Sequence, residues 1–191
     1  FYTLNFVEPI TKTIIPFYQI GSDGGYLKAP TPLTSLTIAP GERADILIDF
    51  SNLAQGTNIL LRNTAKAPFP GGATADPRTV GQIMQFRVTG NAGFQQGANL
   101  PATLPAPLNP TLTGLFPNLP LPSKQRILTL AEVMGALGPL EVLLDGQKWH
   151  APFTEDPING ATEEWIIVNP TADAHPIHLH LVQFQLVSRQ K

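Results

Sequence analysis

Three of the chain's four histidines fall within six residues, in the run His175-Pro176-Ile177-His178-Leu179-His180. Imidazole is the commonest protein ligand for first-row transition metals, and copper, zinc, iron and nickel all accept it. The flanks, Trp165-Ile166-Ile167-Val168 and Leu181-Val182-Gln183-Phe184-Gln185-Leu186-Val187, read as β-strand. A strand presents i and i+2 on one face, so His178 and His180 point the same way and Leu179 the other. His175 lies an odd number of residues from both, and Pro176 interrupts the ladder between them. The spacing predicts two directions of ligation, a pair on one side and a single histidine aimed elsewhere. A lone His-x-His on a strand is usually just a polar face. Three histidines around a proline, at the end of an apolar strand, favour metal binding.

The fourth histidine reads differently. His150 sits among Trp149, Pro152 and Phe153, which predicts a hydrogen-bonded packing residue rather than a ligand. Glu155, Asp156, Glu163 and Glu164 could suggest a paired-carboxylate hydrolase, but they read as solvated turn and edge-strand charge.

The elements that position the histidines are short strands between strong turns. Phe1 to Val7 and Thr13 to Ile20 are β-rich, and Ser22-Asp23-Gly24-Gly25 is a turn. Pro30-Thr31-Pro32 predicts an extended connection. Leu33 to Ile38, Ala44 to Phe50, Asn58 to Asn63 and Gln82 to Val88 read as further strands, several alternating with period two. Residues 65–77, with Pro68-Phe69-Pro70-Gly71-Gly72, read as a solvated connector. The stretch 90–123 carries seven prolines from Pro101 to Pro122 among leucines. It reads as an extended strap lying on the protein surface. Arg126 to Leu130 restarts a strand, Gly138 to Leu144 is another, and Asp145-Gly146 is a hairpin signal. Strands this short with turns this regular argue for an antiparallel sandwich.

Composition narrows the function classes. The chain has 191 residues, 42 % hydrophobic and 14 % charged, with 20 Pro, 16 Gly and no Cys. That length suits one large or two small domains, and the Pro and Gly content implies many turns and few long helices. A net charge of -2 gives no basic field for nucleic acid or anionic membrane. The longest apolar region, Ile127 to Leu144, is broken by Glu132, Gly135, Gly138, Pro139 and Glu141, so no membrane span is expected. Zero Cys excludes disulfides.

The run from Glu163 through Asn169-Pro170-Thr171-Ala172-Asp173-Ala174 into the histidine motif and on to Phe184 resembles the multicopper oxidases. It looks most like the branch with spore-coat laccase, bilirubin oxidase and phenoxazinone synthase. Gly21-Ser22-Asp23-Gly24-Gly25, Ala39-Pro40-Gly41-Glu42-Arg43-Ala44-Asp45 and Gln85-Phe86-Arg87-Val88 are similar to the second cupredoxin domain of those enzymes, which binds no copper. By position, the resemblance implies that His175 is a ligand of the mononuclear type 1 copper. It implies that His178 binds the type 2 copper and His180 a type 3 copper of the trinuclear cluster. It also implies that His175 is the edge through which a donor's electron enters.

The resemblance implies an all-β chain of two cupredoxin-like Greek-key sandwiches, the second truncated. Residues 1–89 would be the middle domain of a parent enzyme, 90–125 an interdomain strap, and 126–191 the N-terminal part of the copper-binding domain. The parent would oxidise phenolic or similar small aromatic donors one electron at a time and reduce O2 to water. A blue type 1 copper needs a Cys thiolate beside its histidines, and this chain has none. The family's His-Cys-His motif would lie downstream, in the remainder of the parent polypeptide. The isolated chain is therefore expected to be inactive. Family habit implies a spore-coat, periplasmic or secreted setting. The alternatives are a metal-ion oxidase of the same family acting on Fe(II) or Cu(I), a non-catalytic cupredoxin-like interaction module, and a cupin-type enzyme pairing His178 and His180 with a carboxylate.

Overall fold

The computed structural model of the protein describes residues 1–90, 100–105, 120–182 and 184–190. Among these residues there are thirteen strands and no helix, so the all-β expectation holds. No helix among the described residues is long and apolar enough to cross a membrane. Most of the strap expected over 90–125 lies outside the described residues. Two compact units are present, one of Phe1–Leu115 with Pro176–Lys191 and the other of Phe116–His175.

The first unit is a sandwich. One sheet runs β10(Gln82–Arg87)-β7(Asn58–Asn63)-β1(Tyr2–Val7)-β2(Ile14–Ile15), with β5(Leu36–Ile38) also on β1. The other is β4(Gly25–Leu33)-β3(Phe17–Ser22)-β6(Ala44–Ile48). All of these pairings are antiparallel. Inward-facing Phe6, Ile15, Phe17 and Ile59 form the core, joined by Leu33, Ile46, Ile48 and Phe86. Phe6 meets Phe17 edge to face at 5.3 Å across the two sheets, the arrangement the ring quadrupoles favour. Pro30 and Pro32, expected in a connection, lie inside β4, where Pro32 pairs with Tyr18. The exception is physical: β4 is an edge strand, so a missing N–H there breaks no ladder bond on its open side.

Among the described residues of this unit, Asn63 is the buried polar side chain. Its Oδ1 accepts from the Thr3 and Ala65 amides at 3.0 and 2.9 Å, and its Nδ2 donates to the Val80 carbonyl at 3.3 Å. It ties the start of β1 to the end of β7 and to the turn before β10. The loop after it is no loose connector. β8(Lys66–Ala67) and β9(Ala73–Thr74) pair as a small hairpin, and Phe69 stacks on Phe1 at 4.7 Å.

The second unit holds the three-stranded sheet β12(Gly138–Leu144)-β11(Lys124–Gly135)-β13(Glu163–Val168). β11 pairs antiparallel with β12 and parallel with β13, so this sheet is mixed. Asp145 and Gly146, both at positive φ, make the turn after β12, as the Asp-Gly signal requires. Leu128 and Leu130 are buried on one face of β11, and Arg126 and Glu132 share that face by strand alternation.

Candidate metal centre

The histidine motif begins where β13 ends. After Val168 the chain folds into a tight loop in which Asn169 organises its neighbours. The Thr171 amide donates to Asn169 Oδ1 at 3.0 Å, and Asn169 Nδ2 donates to the Asp173 carbonyl at 2.8 Å. Asn has this capacity because its short side chain reaches the backbone two residues on. The loop delivers His175 to a half-buried position, its side chain 14 % exposed. Nε2 of His175 lies 2.9 Å from Thr171 Oγ1, 3.5 Å from Glu132 Oε1 and 3.6 Å from Asp173 Oδ1.

Glu132, Asp173 and His175 form a group whose ligand atoms lie within 4.8 Å of one another. The sequence pattern marks His175 as a ligand and gives neither carboxylate that role. Asp173 is two residues from His175 and was open to inspection. Glu132 comes from β11, and only the strand pairing brings it near. Oxygen donors are hard ligands better suited to Mg, Ca or Mn than to copper. Here they surround a single imidazole nitrogen at hydrogen-bonding and ion-pairing range.

His178 and His180 belong to the first unit. Both are exposed, and their rings meet edge to face with centroids 4.8 Å apart. Two imidazoles this close can serve one metal or two neighbouring ones. Among the described residues, no carboxylate joins them in a three-residue metal-holding group.

Three expectations need correction. The run Leu181 to Val187 is not a strand among its described residues. Leu181 adopts φ 72°, which takes the chain out of the extended region, and Pro176 offers no N–H to a ladder. His150 is not a packing residue. It is exposed, and the adjacent Trp149 is 95 % exposed. Glu163 is not solvated charge. Its side chain is 8 % exposed and is held by Arg126 Nε at 2.7 Å and Nη2 at 3.1 Å, and by Trp165 Nε1 at 2.8 Å. Glu164 is half-buried on β13, an edge strand, where it accepts from Gln125 Nε2 at 2.7 Å.

Comparison with known proteins places these features in context. A family model described as multicopper oxidase matches residues 122–191. The chain is 42 % identical over 177 residues to a laccase of Bacillus stratosphericus, covering 90 % of this chain and 31 % of that protein. It is 40 % identical over 176 residues to a laccase of Bacillus subtilis, covering 91 % and 32 %. The chain thus spans about a third of the length of these curated relatives. Among solved structures, it is similar to the McoA multicopper oxidase from Aquifex aeolicus, with TM-score 0.63 and 24 % identity over 94 % of this chain and 37 % of that one. That likeness bears out the cupredoxin-like sandwich.

Proposed function

We propose, from the premise that this chain belongs to the multicopper oxidase family, that it is one portion of a laccase-like enzyme. The enzyme oxidises phenolic or similar small aromatic donors by single electrons and reduces O2 to water. Residues 1–89 are read as its copper-free middle domain, 90–125 as the connecting strap, and 126–191 as the first part of a copper-binding domain. His175 is assigned to the type 1 copper, His178 to the type 2 copper and His180 to a type 3 copper. The observation that carries this is the His175-Pro176-Ile177-His178-Leu179-His180 run itself. It lies inside the matched segment, and one histidine is seated among oxygen acceptors while the other two stand ring to ring.

The donor chemistry fits. Neutral imidazole accepts copper in both oxidation states without adding negative charge that would over-stabilise Cu(II). Copper, when bound, supplies the one-electron chemistry and the reduction of dioxygen. The chain's own contribution is to hold its ligands still, because small rearrangements per redox cycle keep electron transfer fast. His175 is held from both sides, by its own loop and by Glu132 of β11. The thiolate that a blue centre needs is not among these residues, since the chain has no Cys.

The test is metal analysis and electron paramagnetic resonance on the enzyme that carries this segment intact. Several coppers are expected. His175→Ala should remove the type 1 signal, and His178→Ala or His180→Ala should remove copper from the trinuclear centre while leaving the type 1 signal. A single iron, or no metal, overturns the reading. Turnover on Fe(II) or Cu(I) with none on methoxyphenols would overturn the organic-donor part and leave a metal-ion oxidase.

A further inference from the structure

We infer that Thr171 and Asn169 are positioning residues that fix the tautomer of His175. They place its ring proton on Nε2 and leave the lone pair on Nδ1. The inference deepens the proposed function and rests on His175 being a copper ligand.

The argument starts at a backbone amide. The Thr171 N–H can only donate, and it lies 3.0 Å from Asn169 Oδ1. That sets the orientation of the Asn169 amide, since a reversed group would oppose donor to donor. The Asn169 Nδ2 contact to the Asp173 carbonyl at 2.8 Å agrees with the same orientation. The Thr171 hydroxyl carries one proton. It lies 2.6 Å from Asn169 Oδ1 and 3.1 Å from the Asp173 carbonyl. Both of these oxygens are acceptors with no proton to give. Whichever takes the hydroxyl proton, that proton is directed away from the imidazole. Thr171 Oγ1 therefore meets His175 Nε2, at 2.9 Å, with a lone pair, and the ring nitrogen must donate.

The other neighbours of Nε2 act in the same direction. Glu132 Oε1 at 3.5 Å and Asp173 Oδ1 at 3.6 Å are carboxylate oxygens, which favour an N–H over a lone pair facing them. A neutral imidazole has one proton, so with Nε2 protonated the lone pair resides on Nδ1. Partners of this kind, set behind a ligating histidine, fix the ring's orientation and raise its basicity toward a metal.

The experiment uses the full chain, free of copper and labelled with 15N-histidine. Two-bond 1H–15N correlation at about pH 8.5, where imidazoles are neutral, reads the tautomer of each ring. The His175 signals are assigned by their loss in His175→Asn. The expected result is a single Nε2–H tautomer for His175. Thr171→Val should raise the Nδ1–H to Nε2–H ratio about five-fold, the ratio that one net hydrogen bond of ~1 kcal/mol sets. Thr171→Ser should restore the wild-type spectrum. Asn169→Ala should shift the ratio in the same direction, because it frees the Thr171 proton to turn toward the ring. An Nδ1–H tautomer in the wild type overturns the inference, and so does an unchanged ratio in both Thr171→Val and Asn169→Ala. Should Thr171→Val not fold, the wild-type and Asn169→Ala spectra decide. Because the readout needs no copper, the two readings fail separately: an Nε2–H tautomer in this chain, with no copper found in the intact enzyme, would sink the proposed function and leave the hydrogen-bond wiring standing.

Discussion

Arg126 holds Glu163 across the parallel β11–β13 pair through two hydrogen bonds, Nε to Oε2 at 2.7 Å and Nη2 to Oε1 at 3.1 Å. Each side chain is about a tenth exposed. The Arg126 guanidinium also lies over the Trp165 ring, 5.9 Å from its centroid, while the Trp165 N–H donates to the same carboxylate. Bidentate, charge-assisted contacts of this kind are the strong ones.

That geometry gives acid sensitivity a definite window. The Arg126 hydrogen bonds, with help from Trp165, pull the Glu163 carboxyl from the usual 4.5 down to about 2. A group depressed on folding contributes stability that is complete above its unfolded pKa and fades as pH falls toward its folded pKa. Glu163→Gln should therefore lower the melting temperature at pH 6, and the gap from wild type should narrow between about pH 4.5 and about pH 2. Thermal melts followed by circular dichroism across that range check it. A gap that stays constant with pH would show that the carboxylate's charge contributes nothing.

The core of the first unit makes a second prediction. Ile59 is fully buried, and cutting it to Ala should lower stability by about 2–5 kcal/mol. Asn63→Ala should remove about 1–3 kcal/mol by stranding the Thr3 and Ala65 amides it satisfies. Urea denaturation measures both. Hydrogen exchange separates them, because only the Asn63 variant should expose those two amides selectively.

Gly72 supplies a third. A Cβ at this position would overlap the Ala67 carbonyl and the Pro68 nitrogen, which are backbone atoms that cannot rotate away. Gly72→Ala should open the β8–β9 hairpin and loosen the Phe1–Phe69 stack. Faster proteolysis within residues 65–77, with the rest of the chain protected, is the expected outcome. Wild-type cleavage rates would mean that the hairpin relaxes without consequence.

A fourth concerns copper. With no Cys in its 191 residues, the isolated chain mixed with Cu(II) should show no intense blue thiolate band and no oxygen consumption with a methoxyphenol. Visible absorption and an oxygen electrode check both. Development of the blue band from pure chain would contradict the assignment of His175 to a thiolate-completed centre.

Much of this architecture was legible in the residues. β-rich composition marked Tyr2–Val7, and alternation marked Ala44–Ile48 and Gln82–Arg87; in Ala44–Ile48 the alternation is matched by one more sheltered face. Asp145-Gly146 announced its turn, because few residue pairs tolerate two positive φ angles in succession. What escaped was whatever depended on a distant partner. Glu163 looked like surface charge until Arg126 stood beside it. Glu132 carried no signal linking it to His175, since nothing in the local pattern of β11 says which loop will pass over it. The run from Leu181 has strand composition, yet composition cannot supply a neighbour to pair with, and the left-handed Leu181 breaks the extended path.

The direction in which β13 runs decides which part of β11 the histidine loop can reach. Thr129 stands level with Val168, the last residue of β13, and both chains travel the same way there. Glu132 lies three positions further along β11, roughly 10 Å at the usual rise per residue, on the side toward which β13 discharges its loop. Had β13 run head to tail with β11, that loop would have emerged beside Lys124, a cation, at the opposite rim of the sheet. Strand polarity thus selects a carboxylate over an ammonium as the neighbour of His175.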